Sequence, residues 1–206
     1  MTSWVVNRLR EIIESNPEHV AICQGSRQTT YGDFGSMIAG LANKFAATSQ
    51  APRVAICAEP CAETYASMFA AMMAGGFYVP LNANAGQSRL ETAFEEIAPD
   101  VAVFSKNTLP LSVKIGYSGP IVNTEDAVSG KWPDAVSRNA HRLAYVIFTS
   151  GSTGKPKGVM VSQNALAGYA CWANSAMQVS PSDRWSQHPN IGFDLSVLDI
   201  YGALLG

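Results

Sequence analysis

Residues 143–158 read LAYVIFTSGSTGKPKG, an apolar run followed by a loop of small and polar residues. The apolar run, Leu143 to Phe148, predicts a buried β-strand. The ten residues that follow hold three glycines, four hydroxyl side chains and two lysines. Glycines let several backbone N–H groups converge on one anion, hydroxyls add neutral donors, and lysines can compensate the charge of a polyphosphate. The composition therefore fits a phosphate-binding loop, and it also fits a solvated turn between two strands.

The spacing within this loop excludes one class of nucleotide-binding protein. The Walker A pattern places a serine or threonine directly after its lysine. Here Pro156 follows Lys155. A P-loop NTPase is therefore the wrong description of this chain.

The segments before the loop alternate between strand-like and helix-like patterns. Short continuous apolar runs, such as Arg53–Cys57 and Val101–Phe104, predict strands that are buried on both faces. Amphipathic stretches between these runs predict helices. Together they indicate an α/β fold built on mainly parallel sheets flanked by helices.

Residues 106–140 interrupt this alternation. They are rich in Gly, Pro, Ser and Asn, which predicts short edge strands and loops leading to a second structural unit. The approximate units are 1–140 and 141–206. Within the first, Ser88 and Glu91 have the spacing of a capping box, which predicts that a helix begins with Ser88 as its cap.

Composition and charge narrow the class of partner. Hydrophobic residues make up 47% of the 206 residues and charged residues 15%, as in a folded globular protein. The net charge is −2 and the basic residues are scattered, which argues against nucleic acid or an anionic membrane surface as a partner. No apolar stretch approaches the roughly 20 residues of a membrane helix, and the N-terminus lacks the apolar core of a signal peptide. A cytoplasmic location is predicted.

The four cysteines are Cys23, Cys57, Cys61 and Cys171. They lack the C-x-x-C spacing of a zinc or redox site. Each lies in an apolar run, so we predict buried free thiols.

Three further segments join residues 143–158 in a resemblance to the adenylate-forming superfamily. This superfamily includes acyl-CoA synthetases, luciferases and the adenylation domains of nonribosomal peptide synthetases. Thr30–Phe34 (TYGDF) and Ala74–Asn82 (AGGFYVPLN) are similar to its early segments, with Asn82 where aspartate is usual. Phe193–Ser196 (FDLS) resembles the F-D-x-S segment of the amino-acid-specific branch.

The resemblance implies a role for the loop. Its hydroxyls, glycine N–H groups and second lysine would bind the β- and γ-phosphates of Mg-ATP, which makes ATP and Mg²⁺ the implied cofactors. No residue of this sequence is predicted to be a protein ligand of the metal. The implied phosphate-binding residues are Thr149, Ser150, Gly151, Ser152, Thr153, Gly154 and Lys157.

Asp194 is the residue that distinguishes branches of the superfamily. Its neighbours are apolar, which predicts a carboxylate near a core that needs a cation or good donors. In amino-acid-adenylating relatives the matching aspartate binds the substrate's α-ammonium group. An equally simple interpretation is that Asp194 caps a helix that begins near Leu195. The two roles can coexist.

The resemblance also implies residues that set specificity. Leu195 and Leu198 fall on early positions of the side-chain pocket and favour a small or apolar substrate side chain. L-proline is the first expectation, and D-alanine is the second. His188 lies where relatives often have an aromatic residue between the ATP and acyl pockets, and it would line or gate them. The alternative for His188 is a histidine at a strand end.

The implied reaction is attack of an amino-acid carboxylate on the α-phosphate of ATP, with pyrophosphate leaving. The thiol of a phosphopantetheinyl carrier protein would then capture the aminoacyl adenylate as a thioester. The sequence lacks a Y-G-P-T-E-like segment, the later ribose-binding aspartate, the hinge and the C-terminal domain with its essential lysine. Residues 1–206 are therefore expected to be the N-terminal portion of the large N-terminal domain, inactive alone.

Several parent proteins fit these features. Met1 leads directly into a short helix, which favours a free-standing L-prolyl-AMP ligase. The alternatives are a D-alanine–carrier protein ligase and a catalytically dead adenylation fold that serves as an interaction module. A fatty-acid or aryl-acid enzyme is a further alternative, against which Asp194 argues.

Overall fold

The computed structural model describes residues 3–126, 129–132, 142–150 and 156–206. Its strands are β1 (Val20–Gln24), β2 (Arg27–Thr30), β3 (Arg53–Cys57), β4 (Phe77–Pro80), β5 (Val101–Phe104), β6 (Ile121–Asn123), β7 (Leu143–Ser150) and β8 (Pro156–Ser162). Its helices are α1 (Trp4–Ser15), α2 (Tyr31–Ala46), α3 (Ala62–Met73), α4 (Gln87–Ile97), α5 (Leu109–Lys114), α6 (Gln163–Met177), α7 (Leu195–Val197) and α8 (Ala203–Leu205), with a 3-10 turn at Thr124–Asp126 and a π-helical turn at Leu198–Gly202.

A six-stranded sheet organises the molecule, in the order β6-β5-β3-β4-β7-β8. Its neighbouring strands are parallel except for β7 and β8, which are antiparallel. A separate antiparallel pair, β1 and β2, lies outside it. The predicted α/β class with a mainly parallel sheet is confirmed. Because β7 pairs with β4, both sides of the predicted boundary near residue 140 contribute to the same sheet.

The sheet is covered on both faces because its central strands are apolar on both sides. In β3, Val54 and Ile56 belong to one core cluster, whereas Ala55 and Cys57 belong to the other. The first cluster is closed by α1, α2 and α3, and α3 is buried along its whole length. The second is closed mainly by α4. This layering is what continuous apolar strands require.

The start of α4 differs from the predicted capping box. Gly86 is the N-cap and the helix begins at Gln87, so Ser88 lies inside the first turn and makes no cap. The Glu91 carboxylate instead accepts a hydrogen bond from Gln87 Nε2 at 2.7 Å. Local spacing placed the cap two residues too late.

The cysteine prediction holds in part. Cys57 is buried and Cys61 is half-buried, but Cys23 and Cys171 are exposed, so the prediction is wrong for those two. Burial raises the pKa of the Cys57 thiol to about 12. That thiol is therefore protonated and unreactive near neutral pH. Among the described helices, none has both the length and the hydrophobicity to cross a bilayer.

An ion pair joins the beginnings of β3 and β5. Arg53 donates from Nε and Nη2 to the two carboxylate oxygens of Asp100, at 3.1 and 3.2 Å, and its backbone N–H adds a third bond at 2.8 Å. The side-chain hydrogen bond from Arg53 is the main cause that lowers the pKa of Asp100 below its usual range.

We expect the Asp100→Asn variant to lose about 1 kcal/mol of unfolding free energy at neutral pH, since the pair is partly exposed. A carboxyl whose pKa is lower in the folded state stabilises the fold above its ordinary pKa, and this contribution is lost as pH falls through the folded value. As the pH falls below about 4, the unfolding free energy of the variant should therefore decrease less than that of the parent, and the difference between the two proteins should shrink. Urea unfolding at several pH values measures this, with Glu95→Gln as the exposed control. Parallel pH curves for Asp100→Asn and the parent would contradict it.

Candidate phosphate and amino-acid site

The predicted loop lies at the end of an antiparallel strand pair. The predicted strand at residues 143–148 is observed and continues to Ser150, and β8 lies against it. At the end of the pair Thr149 faces Lys157, and the Thr149 hydroxyl donates to the Lys157 carbonyl at 3.4 Å. Both side chains are exposed, so a hydroxyl and an ammonium group are accessible at this end. The predicted loop residues Gly151, Ser152, Thr153 and Gly154 lie outside the described residues, as does the side chain of Ser150.

Pro80, the last residue of β4, limits how far β7 pairs with β4. The Phe77 N–H donates at 3.1 Å to the carbonyl of Pro52, directly before β3, and the Leu81 N–H donates at 2.8 Å to that of Ile56 within β3. Backbone donors alternate between the two sides of a parallel strand, so the backbone nitrogens of Tyr78 and Pro80 face β7. Pro80 has no N–H to donate to that strand. The register between β4 and β7 is accordingly the single pair Tyr78–Tyr145. Beyond that pair, β7 extends towards the loop with β8 as its partner.

Asp194 begins the short helix α7 and is exposed. Its Oδ1 accepts a hydrogen bond from the Leu195 N–H at 2.9 Å, so the capping interpretation is observed. The expectation of a carboxylate near a core is wrong, because the flanking Phe193 and Leu195 are themselves 56% and 69% exposed. Phe193 and Leu195 face outward and do not enclose the carboxylate, whereas the more distant Ile191 and Val197 are buried.

The charge of Asp194 contributes to the raised pKa of two tyrosines, one of them on the strand that leads to the loop. Burial raises the pKa of Tyr145 on β7 to about 12, and the charges of Tyr169 and Asp194 add to the shift. Burial also raises the pKa of Tyr169 on α6, with smaller contributions from Asp194 and Asp199. The turn that precedes Asp194 lies against the end of β4, since a Cβ at Gly192 would be 3.1 Å from the Asn82 nitrogen. β4 is the neighbour of β7 in the sheet, and Tyr145 lies on β7 four residues before Thr149.

Ser196 fixes the turn that carries Asp194. Its side chain is buried, and its hydroxyl donates to the Phe193 carbonyl at 2.7 Å, with the Ile191 carbonyl at 3.3 Å. The Ser196 N–H donates to the same Phe193 carbonyl. The serine of the F-D-x-S segment therefore stabilises the turn by hydrogen bonds to its backbone.

The remaining predicted residues lie on the same segment. His188 is exposed, and its backbone N–H donates to Asp199 Oδ2 at 3.2 Å. Leu198 is half-buried at the start of the π-helical turn, one turn after Leu195. The roles of these side chains in lining or gating a pocket stay predictions.

The sequence that forms this fold matches one known family over nearly its full length. The AMP-binding enzyme family matches residues 9–206. The chain belongs to this family. The resemblance to the adenylate-forming superfamily is thereby confirmed, and it covers nearly the full chain.

Relatives of this AMP-binding chain include a synthetase and a ligase that are both much longer than it. It is 33% identical over 196 residues to malpinin synthetase of Mortierella alpina, covering 93% of this chain and 2% of that protein. It is 30% identical over 204 residues to the L-proline–[L-prolyl-carrier protein] ligase of Streptomyces coelicolor, covering 87% of this chain and 38% of the ligase. The chain thus spans well under half the length of either relative.

A solved structure confirms the fold of this AMP-binding chain. The AMPPNP-bound form of the nonribosomal peptide synthetase FmoA3 superimposes with a TM-score of 0.87 at 21% identity, covering 99% of this chain and 22% of that chain. The mainly parallel sheet flanked by helices is therefore the family's architecture.

Two residues that matter to the description of this region were missed by sequence reasoning. Tyr169 lies on α6 and carries no local signal, because α6 reaches this region only by packing against the π-helical turn. Asn190 is also outside every family segment quoted above. Ser196 was recoverable, since it is the serine of F-D-x-S.

Proposed function

We propose that this chain is the N-terminal portion of an amino-acid-adenylating ligase, and that it provides the ATP-phosphate loop and the first residues of the amino-acid pocket. The observation that carries the proposal is the hydrogen bond from Asn190 to Asn82 at 3.2 Å, which holds the turn before Asp194 at the end of β4, the neighbour in the sheet of the strand β7 that leads into the loop. An amino acid and the nucleotide's phosphates would thereby meet at one edge of the sheet. The family match and the synthetase among the relatives support the same reaction.

The loop would bind the polyphosphate without covalent catalysis. Hydroxyls of Thr149, Ser150, Ser152 and Thr153 would donate to phosphate oxygens, together with N–H groups near Gly151 and Gly154. The exposed Lys157 would add positive charge or order the loop at its base. This positioning would lower the barrier for attack of the carboxylate on the α-phosphate.

Magnesium would enter with the nucleotide. Among the described residues, no group of three His, Cys, Asp or Glu side chains is arranged to hold a metal ion. Mg²⁺ commonly binds through substrate phosphates and one or two carboxylates, and it retains several waters. The hydroxyl and ammonium groups at the end of β7 and β8 fit a metal-bound polyphosphate better than they fit a bare metal.

Asp194 would bind the α-ammonium group of the substrate while it caps α7. The cap bond uses Oδ1, and the other carboxylate oxygen would receive the ammonium. The Tyr169 ring, whose pKa the charge of Asp194 helps to raise, is paired with Trp172 at a centroid distance of 5.8 Å and is partly exposed. Aromatic faces stabilise a cation at such a site.

L-proline is the proposed substrate. Leu195 and Leu198 would give the pocket an apolar beginning, and the Streptomyces ligase among the relatives is named for L-proline and its carrier protein. A phosphopantetheinyl carrier protein would accept the prolyl group as a thioester. D-alanine is the second candidate substrate. A catalytically dead interaction module is the candidate from another class.

Amino-acid-dependent ATP–pyrophosphate exchange tests this function. The complete polypeptide that contains this chain should exchange pyrophosphate with L-proline, and residues 1–206 alone should not. D-alanine and the other amino acids are screened beside it, with aryl and fatty acids as controls. Exchange with D-alanine alone would replace the proline assignment. Exchange with aryl acids alone would overturn the amino-acid assignment, and none with any acid would favour the interaction module.

A further inference from the structure

A hydrogen bond between two asparagine side chains ties the Asp194 turn to the end of β4. Asn190 Nδ2 donates to Asn82 Oδ1 at 3.2 Å, although 108 positions separate the two residues in sequence. Asn82 follows Pro80, the last residue of β4, by two positions. Both side chains are half-buried, so bulk water competes only partly for this bond.

Backbone donors determine the orientation of both amides. Asn82 Oδ1 also accepts from the Asn84 N–H at 2.9 Å, and Asn190 Oδ1 accepts from the Gly192 N–H at 2.9 Å. Because a backbone N–H can only donate, both of these side-chain atoms are carbonyl oxygens. Asn190 must therefore donate through Nδ2 to Asn82. The bond has one possible direction.

The two segments approach each other closely at a glycine. A Cβ at Gly192 would lie 3.1 Å from the Asn82 nitrogen and 3.3 Å from Asn190 Oδ1. The absence of a side chain there lets the turn lie directly against the end of β4.

Hydrogen bonds continue from Asn190 to Asp194. The Phe193 N–H donates to the Asn190 carbonyl at 2.9 Å, and the Phe193 carbonyl is held in turn by Ser196. Asp194 therefore lies between two fixed neighbours. A shift of Asn190 would move the Asp194 carboxylate relative to β4 and β7.

We propose that Asn82 and Asn190 are a positioning pair for substrate recognition, acting through the turn on Asp194. This rests on the proposed role of Asp194 in binding the amino acid's ammonium group. Asn82 accepts two hydrogen bonds through Oδ1, and a carboxylate oxygen at the same position could accept both of them equally well. Asparagine can therefore occupy the position where family members usually have aspartate. Asn190 both donates and accepts, so aspartate cannot replace it.

The test is a set of variants in the complete polypeptide, assayed by pyrophosphate exchange. Asn82→Asp should retain the parent's KM for the amino acid. Asn82→Leu removes both hydrogen bonds that Oδ1 accepts, and Asn190→Asp removes the one that Nδ2 donates. Each variant should raise that KM about tenfold or more, with the KM for ATP unchanged. Asn84→Leu is the matched control, because the Asn84 side chain is exposed and its backbone N–H is retained.

Two results would overturn the proposal. If Asn82→Asp is as harmful as Asn82→Leu, the acceptor argument is wrong. If Asn82→Leu and Asn190→Asp lower the melting temperature but leave the KM for the amino acid unchanged, the pair is merely structural.

A second measurement separates this proposal from the proposed function. Hydrogen exchange should show the Gly192 N–H protected in the parent and in Asn82→Asp but exposed in Asn82→Leu. If the parent lacks amino-acid-dependent pyrophosphate exchange, the proposed function fails, and substrate positioning fails with it. If Gly192 stays protected in Asn82→Leu, the pair does not hold the turn, whatever the activity.

Discussion

A Gly76→Ala variant should fail to fold or lose about 3 kcal/mol or more of unfolding free energy. A Cβ at Gly76 would lie 1.9 Å from the Pro52 carbonyl oxygen, with the Pro52 carbonyl carbon and nitrogen at 2.7 Å. These are backbone atoms, so no rotamer change can make room. The backbone is also fixed on both sides, because Gly76 N–H donates to Ala71 in α3 and Phe77 N–H donates to Pro52.

Thermal unfolding followed by circular dichroism measures this effect. Gly168→Ala is the matched control, since Gly168 lies on the exposed face of α6 with no atom within 4 Å of an added Cβ. Alanine in a helix interior is favoured over glycine, so this control should gain about 0.5–1 kcal/mol. A Gly76→Ala variant that melts at the parent temperature would show that β3 and β4 are not held as described.

Asp194→Asn should lower kcat/KM for the amino acid about 100-fold or more in the complete polypeptide, with the KM for ATP unchanged. Loss of one partner of a hydrogen-bonded charge pair typically weakens binding by about 2–5 kcal/mol. Asparagine keeps the oxygen that accepts from the Leu195 N–H, so the α7 cap survives and the charge is lost. The effect on exchange would therefore report recognition of the ammonium group.

Asp194→Ala separates the two roles. It should lose the same activity and also about 1 kcal/mol of stability, because the cap disappears as well. Pyrophosphate exchange and thermal unfolding of both variants give the comparison. Full activity in Asp194→Asn would mean that Asp194 acts as a helix cap alone.

The parallel sheet could be predicted because its central strands are continuous apolar runs. Val101–Phe104 was predicted with the bounds that the structure shows. The edge strand β8 was missed, because its Val159 and Met160 are 49% and 69% exposed and give no pattern of burial. The short helix α5 was missed since it lies in a loop-like, Pro-containing stretch, and proline is compatible with a first helical turn.

The candidate site could be predicted where its chemistry is local and not where it depends on packing. The strand at residues 143–148 and the capping role of Asp194 follow from neighbouring residues. The Asn82–Asn190 bond joins distant segments and leaves no local signal. The environment of Asp194 was predicted incorrectly because apolar neighbours suggested burial, whereas Phe193 and Leu195 face outward.

The pairing of β7 has a consequence for the order of folding. β7 pairs with β8, which is adjacent in sequence, continuously from Tyr145 to Ser150, but with β4, far earlier in the chain, at a single register position. Local hairpins form within about 1–10 μs, whereas distant parallel pairings must first close long loops. β7 and β8 can therefore pair before the rest of the sheet is complete. Docking of β7 onto β4 beside Pro80 is then a later step, and it stabilises a strand pair that would be marginal alone.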